Sequence, residues 1–246
     1  MNPRFAITFH DSLPSTSDTA RALAASGAAH GTVIAARRQT AGRGRLGRSW
    51  VSPPGNLHAS FLLRYAIPPA RQAELGFAAA LAVADLVDAH LDAGPRAQLK
   101  WPNDVLVDGQ KIAGILLEAD SAPADPFVVL GIGINLAHAP PNLPYPVTSL
   151  AALGASPPAP EAALDRLAEL LAARLAAWEQ HGFAPIRAAW RSRGPAPGTR
   201  LRVTAGNTSR PTGFQEGDFE DLAEDGALVL WTPDGQLRVT AGVVSC

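Results

Sequence analysis

The chain has 246 residues, a net charge of −1, 47% hydrophobic and 17% charged residues, a balance that fits a soluble globular protein and gives no electrostatic case for binding nucleic acid. No run of 18 apolar residues occurs, which excludes a helical membrane span, and residues 1–10 lack the basic-then-apolar pattern of a signal peptide. The single cysteine, Cys246, excludes an internal disulfide or a cysteine-built metal site, and together these features point to the cytoplasm.

Along the chain, 4–10 alternates as a strand, and Ser15-Thr16-Ser17-Asp18 carries the capping signature of an alanine-rich helix ending near Ser26. A β-branched strand over 32–36 precedes a loop over 38–56 rich in Gly, Arg, Ser and Pro. Then come a strand at 57–65, a helix with an apolar stripe at 71–90, and short strands at 99–101 and 104–107. Asp108-Gly109 signals a hairpin turn, returning through a strand at 111–118, and 127–136 is a further strand. A Pro-rich connection over 140–160 leads to helices at 161–180 and 185–192. After the linker-like 194–198 the pattern changes to short strands between Gly turns, at 199–205, 213–222, 227–231 and 236–241. The expected class is α+β: a mixed-sheet domain over 1–194 and a small all-β domain over 195–246.

The loop is the most informative segment. Arg37-Arg38-Gln39-Thr40-Ala41-Gly42-Arg43-Gly44-Arg45-Leu46-Gly47-Arg48-Ser49-Trp50 holds five arginines and no carboxylate. Its glycines let backbone approach a ligand, arginine forks suit phosphate and carboxylate oxygens, and Trp50 offers a flat face to a purine. A solvated basic loop or a nucleic-acid patch has similar composition, but this loop lies between strands of a globular domain. It is not a Walker loop, because no G-x-x-x-x-G-K-[ST] occurs. Lysine is rare: of 21 basic residues only Lys100 and Lys111 are lysine, both close together. A coding bias toward arginine explains the scarcity, yet a site needing a slender ammonium would resist that drift. The six histidines are scattered, so no protein-held metal site is expected.

Five segments, in order, resemble the motifs of the biotin–protein ligases: Ser15-Thr16-Ser17, the Gly42-Arg43-Gly44-Arg45-Leu46-Gly47-Arg48 loop, Lys100-Trp101-Pro102-Asn103-Asp104, the strand from Lys111 to Glu118, and Gly131-Ile132-Gly133-Ile134-Asn135. The segment around Gly226-Ala227-Leu228 is similar to the family's SH3-like C-terminal barrel. The resemblance spans nearly the whole chain. It implies the biotin/lipoate-ligase fold and a two-step reaction, in which biotin and ATP give biotinyl-5'-AMP, which then acylates a lysine of a biotin carboxyl carrier protein. Mg²⁺ would accompany ATP, and a homodimer is one expected assembly. About fourteen residues precede Ser15, too few for the DNA-binding domain some members carry, so no DNA is expected among the partners.

By resemblance, Lys111, Arg43, Arg45 and Asp104 are the catalytic set. Ser15, Thr16, Ser17, Gln39, Arg43, Gly44, Arg45, Lys111, Gly114 and Gly131 would bind biotin. Arg45, Arg48, Trp50, Asn103, Lys111 and Asn135 would bind ATP or the adenylate. Blander readings stand beside these: Lys100 as structural, Trp101 as core, Trp50 as loop packing, and Glu118 as a solvated or paired strand end. Gly131 and Gly133 would then mark only close packing. Ser17 replaces the family's usual Asn, His58 a usual aromatic, and the Gly242-to-Cys246 end carries no expected catalytic role. A lipoate–protein ligase of the same fold, and a biotin-binding sensor without turnover, are the competing functions.

Overall fold

The computed structural model describes residues 5–91, 96–120, 126–204 and 213–245; Arg4, Ala205 and Cys246 lie outside them. In chain order the elements are β1 (Ala6–Leu13), α1 (Thr16–Ala25), β2 (Thr32–Gln39), β3 (Leu57–Leu63) and α2 (Pro69–Asp88). Next come β4 (Gln98–Lys100), β5 (Asp104–Val107), β6 (Gln110–Asp120), β7 (Phe127–Ile134), α3 (Pro160–His181) and α4 (Phe183–Arg191). The chain ends in β8 (Arg200–Thr204), β9 (Phe214–Leu222), β10 (Leu228–Thr232), β11 (Gly235–Val239) and β12 (Val243–Ser245).

The first seven strands form one sheet in the order β1-β2-β3-β7-β6-β5-β4. Only β1 and β2 pair in parallel, joined by α1 as the crossover; every other neighbour is antiparallel, which gives the mixed sheet expected. Strand alternation decides what each face carries. On β3, Leu57, Ala59, Phe61 and Leu63 pack into the large core beneath α2, whereas Leu62 joins a second cluster with Ala20 and Ala24 of α1. The sheet therefore has α2, with α3 and α4 outside it, on one face and α1 on the other. α2 is apolar around most of its circumference because it lies between sheet and helices. Its one buried acid, Glu74, accepts from Trp178 Nε1 at 2.6 Å and from Arg71 Nε at 2.9 Å, so the charge is fully partnered.

The second sheet, β11-β10-β9-β8-β12, is antiparallel throughout. Its fifth strand, β12, was not expected from the sequence: Val243–Ser245 is too short to show periodicity and is held by pairing with β8. The linker-like 194–198 does not separate two independent cores. Leu201, Phe219, Leu228 and Leu230 belong to the same hydrophobic cluster as Phe77 and Trp190. A Cβ on Gly194 would stand 2.7 Å from the Trp190 ring, and Trp101 Nε1 donates to Gly226 O at 3.0 Å. Trp101 is thus a core residue that bridges the two sheets.

No helix among the described residues is long and apolar enough to cross a membrane.

Candidate active site

The α1 face of the sheet carries the site. Ser15 takes extended backbone (φ −156°, ψ 130°) and accepts from Asp18 N at 3.3 Å, capping α1. Its hydroxyl is thereby committed to the helix, and Ser15 does not border the cleft described below. The next two residues do. Thr16 Oγ1 lies 2.8 Å and Ser17 Oγ 3.0 Å from Ser60 Oγ on β3. Gln39 Oε1 accepts from Thr16 N at 2.8 Å while its Nε2 donates to Ser52 Oγ at 2.8 Å. Ser60 and Ser52 were missed from sequence, because a lone serine in a strand or loop carries no signal of its own.

The floor beside this chain of polar groups is glycine. A Cβ on Gly131 would lie 2.6 Å from Ser17 Oγ, and one on Gly133 would lie 2.4 Å from the Trp50 ring. On β6, Gly114 would meet Trp50 at 3.1 Å and the Lys111 side chain at 3.3 Å. Trp50 therefore lies over the sheet floor, touching Gly114 and Gly133. Its Nε1 is buried without a partner.

Lys111 reaches this face through an irregularity. Asp108 (φ 50°) and Gly109 (φ 71°) form the tight turn foreseen in the sequence. Between Val105 and Leu106 the β5–β6 register then shifts, so Leu106 pairs with Lys111 but Val105 with Ala113. Ile112 and Ala113 both enter the core, and Lys111 comes to the same face as Gly114. Its Nζ stands 2.7 Å from Asp104 Oδ1, 5.4 Å from the Trp50 ring centre and 5.6 Å from that of Tyr145. Tyr145 comes from the Pro-rich connection, which Lys111 N→Pro146 O and Thr148 N→Lys111 O bonds hold against the strand. Burial pushes the Tyr145 phenol above its ordinary pKa, and the Asp104 charge adds to this.

The Gly/Arg loop folds back on itself through Trp50 N→Gly42 O at 2.9 Å and Gly44 N→Arg48 O at 2.7 Å, turning at Leu46 (φ 56°) and Gly47 (φ 72°). Arg45 points inward: Nη1 donates to Asn103 Oδ1 at 3.0 Å and to Gly242 O at 3.3 Å. Burial lowers its pKa, against the raising effect of Asp104. The C-terminal segment, given no catalytic role by the sequence, thus meets the loop directly. Arg43 ends instead on Glu118 and Asp18.

Three hollows result. The first, a cleft open to solvent, is lined by Thr16, Ser17, Gln39, Arg43, Gly44, Arg45, Asn103, Gly114 and Gly131, among others. A second lies against Arg48, Asn103, Asp104 and Tyr145, and also touches Val243 and Val244 of β12. A third is lined by Asn135, Leu143, Tyr145 and Val147. Lys111 and Trp50 border all three. Asn135 Nδ2 donates to Thr148 O at 3.0 Å, while its buried Oδ1 has no partner. No group of three or more His, Cys, Asp or Glu able to hold a metal occurs among the described residues.

Comparison with known proteins gives the family of the chain. Residues 9–135 match the model of the biotin/lipoate A/B protein ligase family, so the chain belongs to that family. It is 41% identical over 220 residues to a biotin–[acetyl-CoA-carboxylase] ligase of Paracoccus denitrificans, covering 86% of this chain and 88% of that protein. To the bifunctional ligase/repressor BirA of Bacillus subtilis (strain 168) it is 34% identical over 240 residues, covering 95% of this chain and 71% of the other. Among solved structures, the Aquifex aeolicus biotin protein ligase in complex with biotin and ATP superposes with a TM-score of 0.78 at 25% identity, covering 97% of each chain.

Proposed function

We propose that this chain is an ATP-dependent biotin–protein ligase that makes biotinyl-5'-AMP and transfers biotin to a lysine of a biotin carboxyl carrier domain. The observation that carries the reading is the position of Lys111, whose ammonium stands where the three hollows meet. A molecule made of a fused-ring acid, a phosphate and a base needs three such compartments with a cation at their junction.

In this reading biotin's rings lie in the first cleft near Gly131, beside the Trp50 ring that covers Gly114 and Gly133. The ureido head meets the hydroxyls and amide of Thr16, Ser17 and Gln39, and the carboxylate meets Lys111. The adenine enters the third hollow, where the unpartnered Asn135 Oδ1 accepts from its exocyclic amine. Arg45 and Arg48 face the phosphates between them. The biotin carboxylate oxygen bonds to the α-phosphorus as the bond to pyrophosphate breaks, and the ammonium of Lys111 follows the shifting charge. A carrier amine then bonds to the acyl carbon and AMP leaves, with Asp104, already beside Lys111, orienting the amine. Mg²⁺ would enter with ATP, held by phosphate oxygens and water.

The catalytic chemistry belongs to 1–194 in this proposal, with 195–246 as a cap that reaches the loop at Gly242. A cytoplasmic location and a homodimer are parts of the same reading; sedimentation checks the dimer. Incubation with biotin, MgATP and a carrier domain should add the mass of one biotinyl group (biotin less water) to the carrier. ATP–pyrophosphate exchange driven by lipoate and not by biotin would overturn the reading in favour of a lipoate ligase. Biotin binding without either reaction would favour the sensor.

A further inference from the structure

The guanidinium of Arg43 ends on carboxylates. Its Nη2 sits on both oxygens of Glu118 and 3.2 Å from Asp18 Oδ1, while Arg21 Nη1 lies 3.3 Å from Glu118 Oε1. Glu118 stands at a telling register. Counting by twos along β6 from Gly114 passes Leu116 and reaches Glu118, so its carboxylate rises from the face that floors the first cleft. Asp18 follows Ser17 in the first turn of α1, on the facing wall. Arg43 therefore ties the Gly/Arg loop to two walls of the cleft at once. Two residues later, Arg45 ties the same loop to Asn103 and Gly242.

The ends of the loop are held by Thr40 N→Leu13 O and Ala41 N→Pro14 O bonds and by Trp50 on the sheet, but its tip is not. Leu46 at its tip is 60% exposed, and a Cβ on Gly47 would touch nothing within 4 Å. An isolated surface ion pair contributes little, but here two cations share two carboxylates and the Glu118 side chain is only 20% exposed. Glu118 does not line the cleft.

We propose that Glu118, seconded by Asp18, is a positioning residue whose clasp on Arg43 holds the loop over the cleft and sets how long the activated acyl-adenylate stays bound. The inference rests on the ligase reading above. A carboxylate anchor turns the Arg43 guanidinium to the rim of the cleft as a latch, and divides the loop's work: Arg43 retains, Arg45 and Arg48 meet phosphate.

The test loads the full chain with labelled biotin and MgATP, removes excess substrate, then chases with unlabelled biotin and follows release of label. Glu118→Gln should shorten the adenylate's lifetime about threefold to tenfold and raise KM for biotin similarly, while kcat for adenylate synthesis stays within about twofold. Glu118→Asp, which keeps the charge, should fall between Gln and wild type. Arg21→Gln should stay close to wild type. Raising NaCl from about 0.05 M to about 0.5 M should shorten the wild-type lifetime and leave that of Glu118→Gln flat. An unchanged lifetime in Glu118→Gln, with adenylate formed normally, overturns the clasp and spares the ligase reading. Should that variant not fold, a wild-type lifetime indifferent to salt overturns it equally. A wild-type protein that forms no adenylate would overturn the ligase reading, and the clasp with it.

Discussion

Lys111 and Arg43 are both basic residues of recognisable motifs, yet their surroundings differ. Lys111 is flanked by two aromatic faces and paired with Asp104 at 2.7 Å, a narrow setting that admits a compact ammonium. Lys111→Arg should still bind biotin in calorimetry yet lose about a hundredfold in adenylate synthesis, because the planar fork displaces the charge. Wild-type exchange rates in that variant would sink the assignment. Gly131 tests the floor. Its missing Cβ would stand 2.6 Å from Ser17 Oγ, so Gly131→Ala should weaken biotin binding at least about tenfold. Adding Ser17→Ala removes the clashing oxygen and should restore the melting temperature but not the affinity. Recovery of both would mean that the glycine serves packing alone. Ser17, shorter than the family's usual Asn, is thus accounted for by its place between Ser60 and Gly131.

At the scale of elements, β3 contains a histidine in a wholly buried setting. His58 is 1% exposed, its Nε2 lies 3.3 Å from Pro53 O, and burial pushes its pKa down to about 4. The folded protein therefore keeps this ring neutral at pH values where the unfolded chain, titrating near 6.5, takes up a proton. Stability from this source is full above about pH 6.5 and declines toward pH 4, by up to about 3 kcal/mol. His58→Phe keeps a ring at the position and should flatten that decline in urea titrations run across the pH range. An equally steep acid slope in the variant would place the titration elsewhere. The β5–β6 hairpin shows how much of an element is legible locally. Asp108-Gly109 announces the turn, but plain alternation from Gly114 would put Ile112, not Lys111, on the site face. The register shift after Val105 reverses that, and a shift of one residue leaves no mark in composition.

For the whole molecule, the decisive feature is that the small β sheet shares one core with the seven-stranded sheet. Phe77 lies 5.9 Å from Trp190, which lies 6.4 Å from Phe219, so aromatic packing runs from α2 through α4 into β9. A single calorimetric unfolding transition is expected, with equal calorimetric and van't Hoff enthalpies; two resolved transitions would contradict a shared core. Gly226 sits at that junction with φ +82°, and a Cβ there would lie 2.6 Å from the Phe77 ring. Gly226→Ala should cost about 2 kcal/mol of stability and lower the midpoint of that one transition. The composition of 194–198 marks a linker but not the shared core, since Pro and Gly mark a chain's path without revealing what it packs against.

From the sequence alone came the class α+β, the order of the elements as far as β11, the anion-binding character of the Gly/Arg loop and the ordered motifs that mark the family. These are properties of short spans, where turn chemistry, strand alternation and residue type act over a few positions. Which residues meet across the sheet was decided by the tertiary structure. Arg43 and Glu118 are 75 positions apart, and Arg45 and Gly242 are 197 apart. Tyr145 reaches Lys111 out of a Pro-rich connection with no periodicity to read, and Ser60 reaches Thr16 through the pairing of β2 with β3. Such contacts follow from sheet order and from one bulge. Both are set by how the whole chain buries its apolar faces, which is why the loop's chemistry was legible and its anchorage was not.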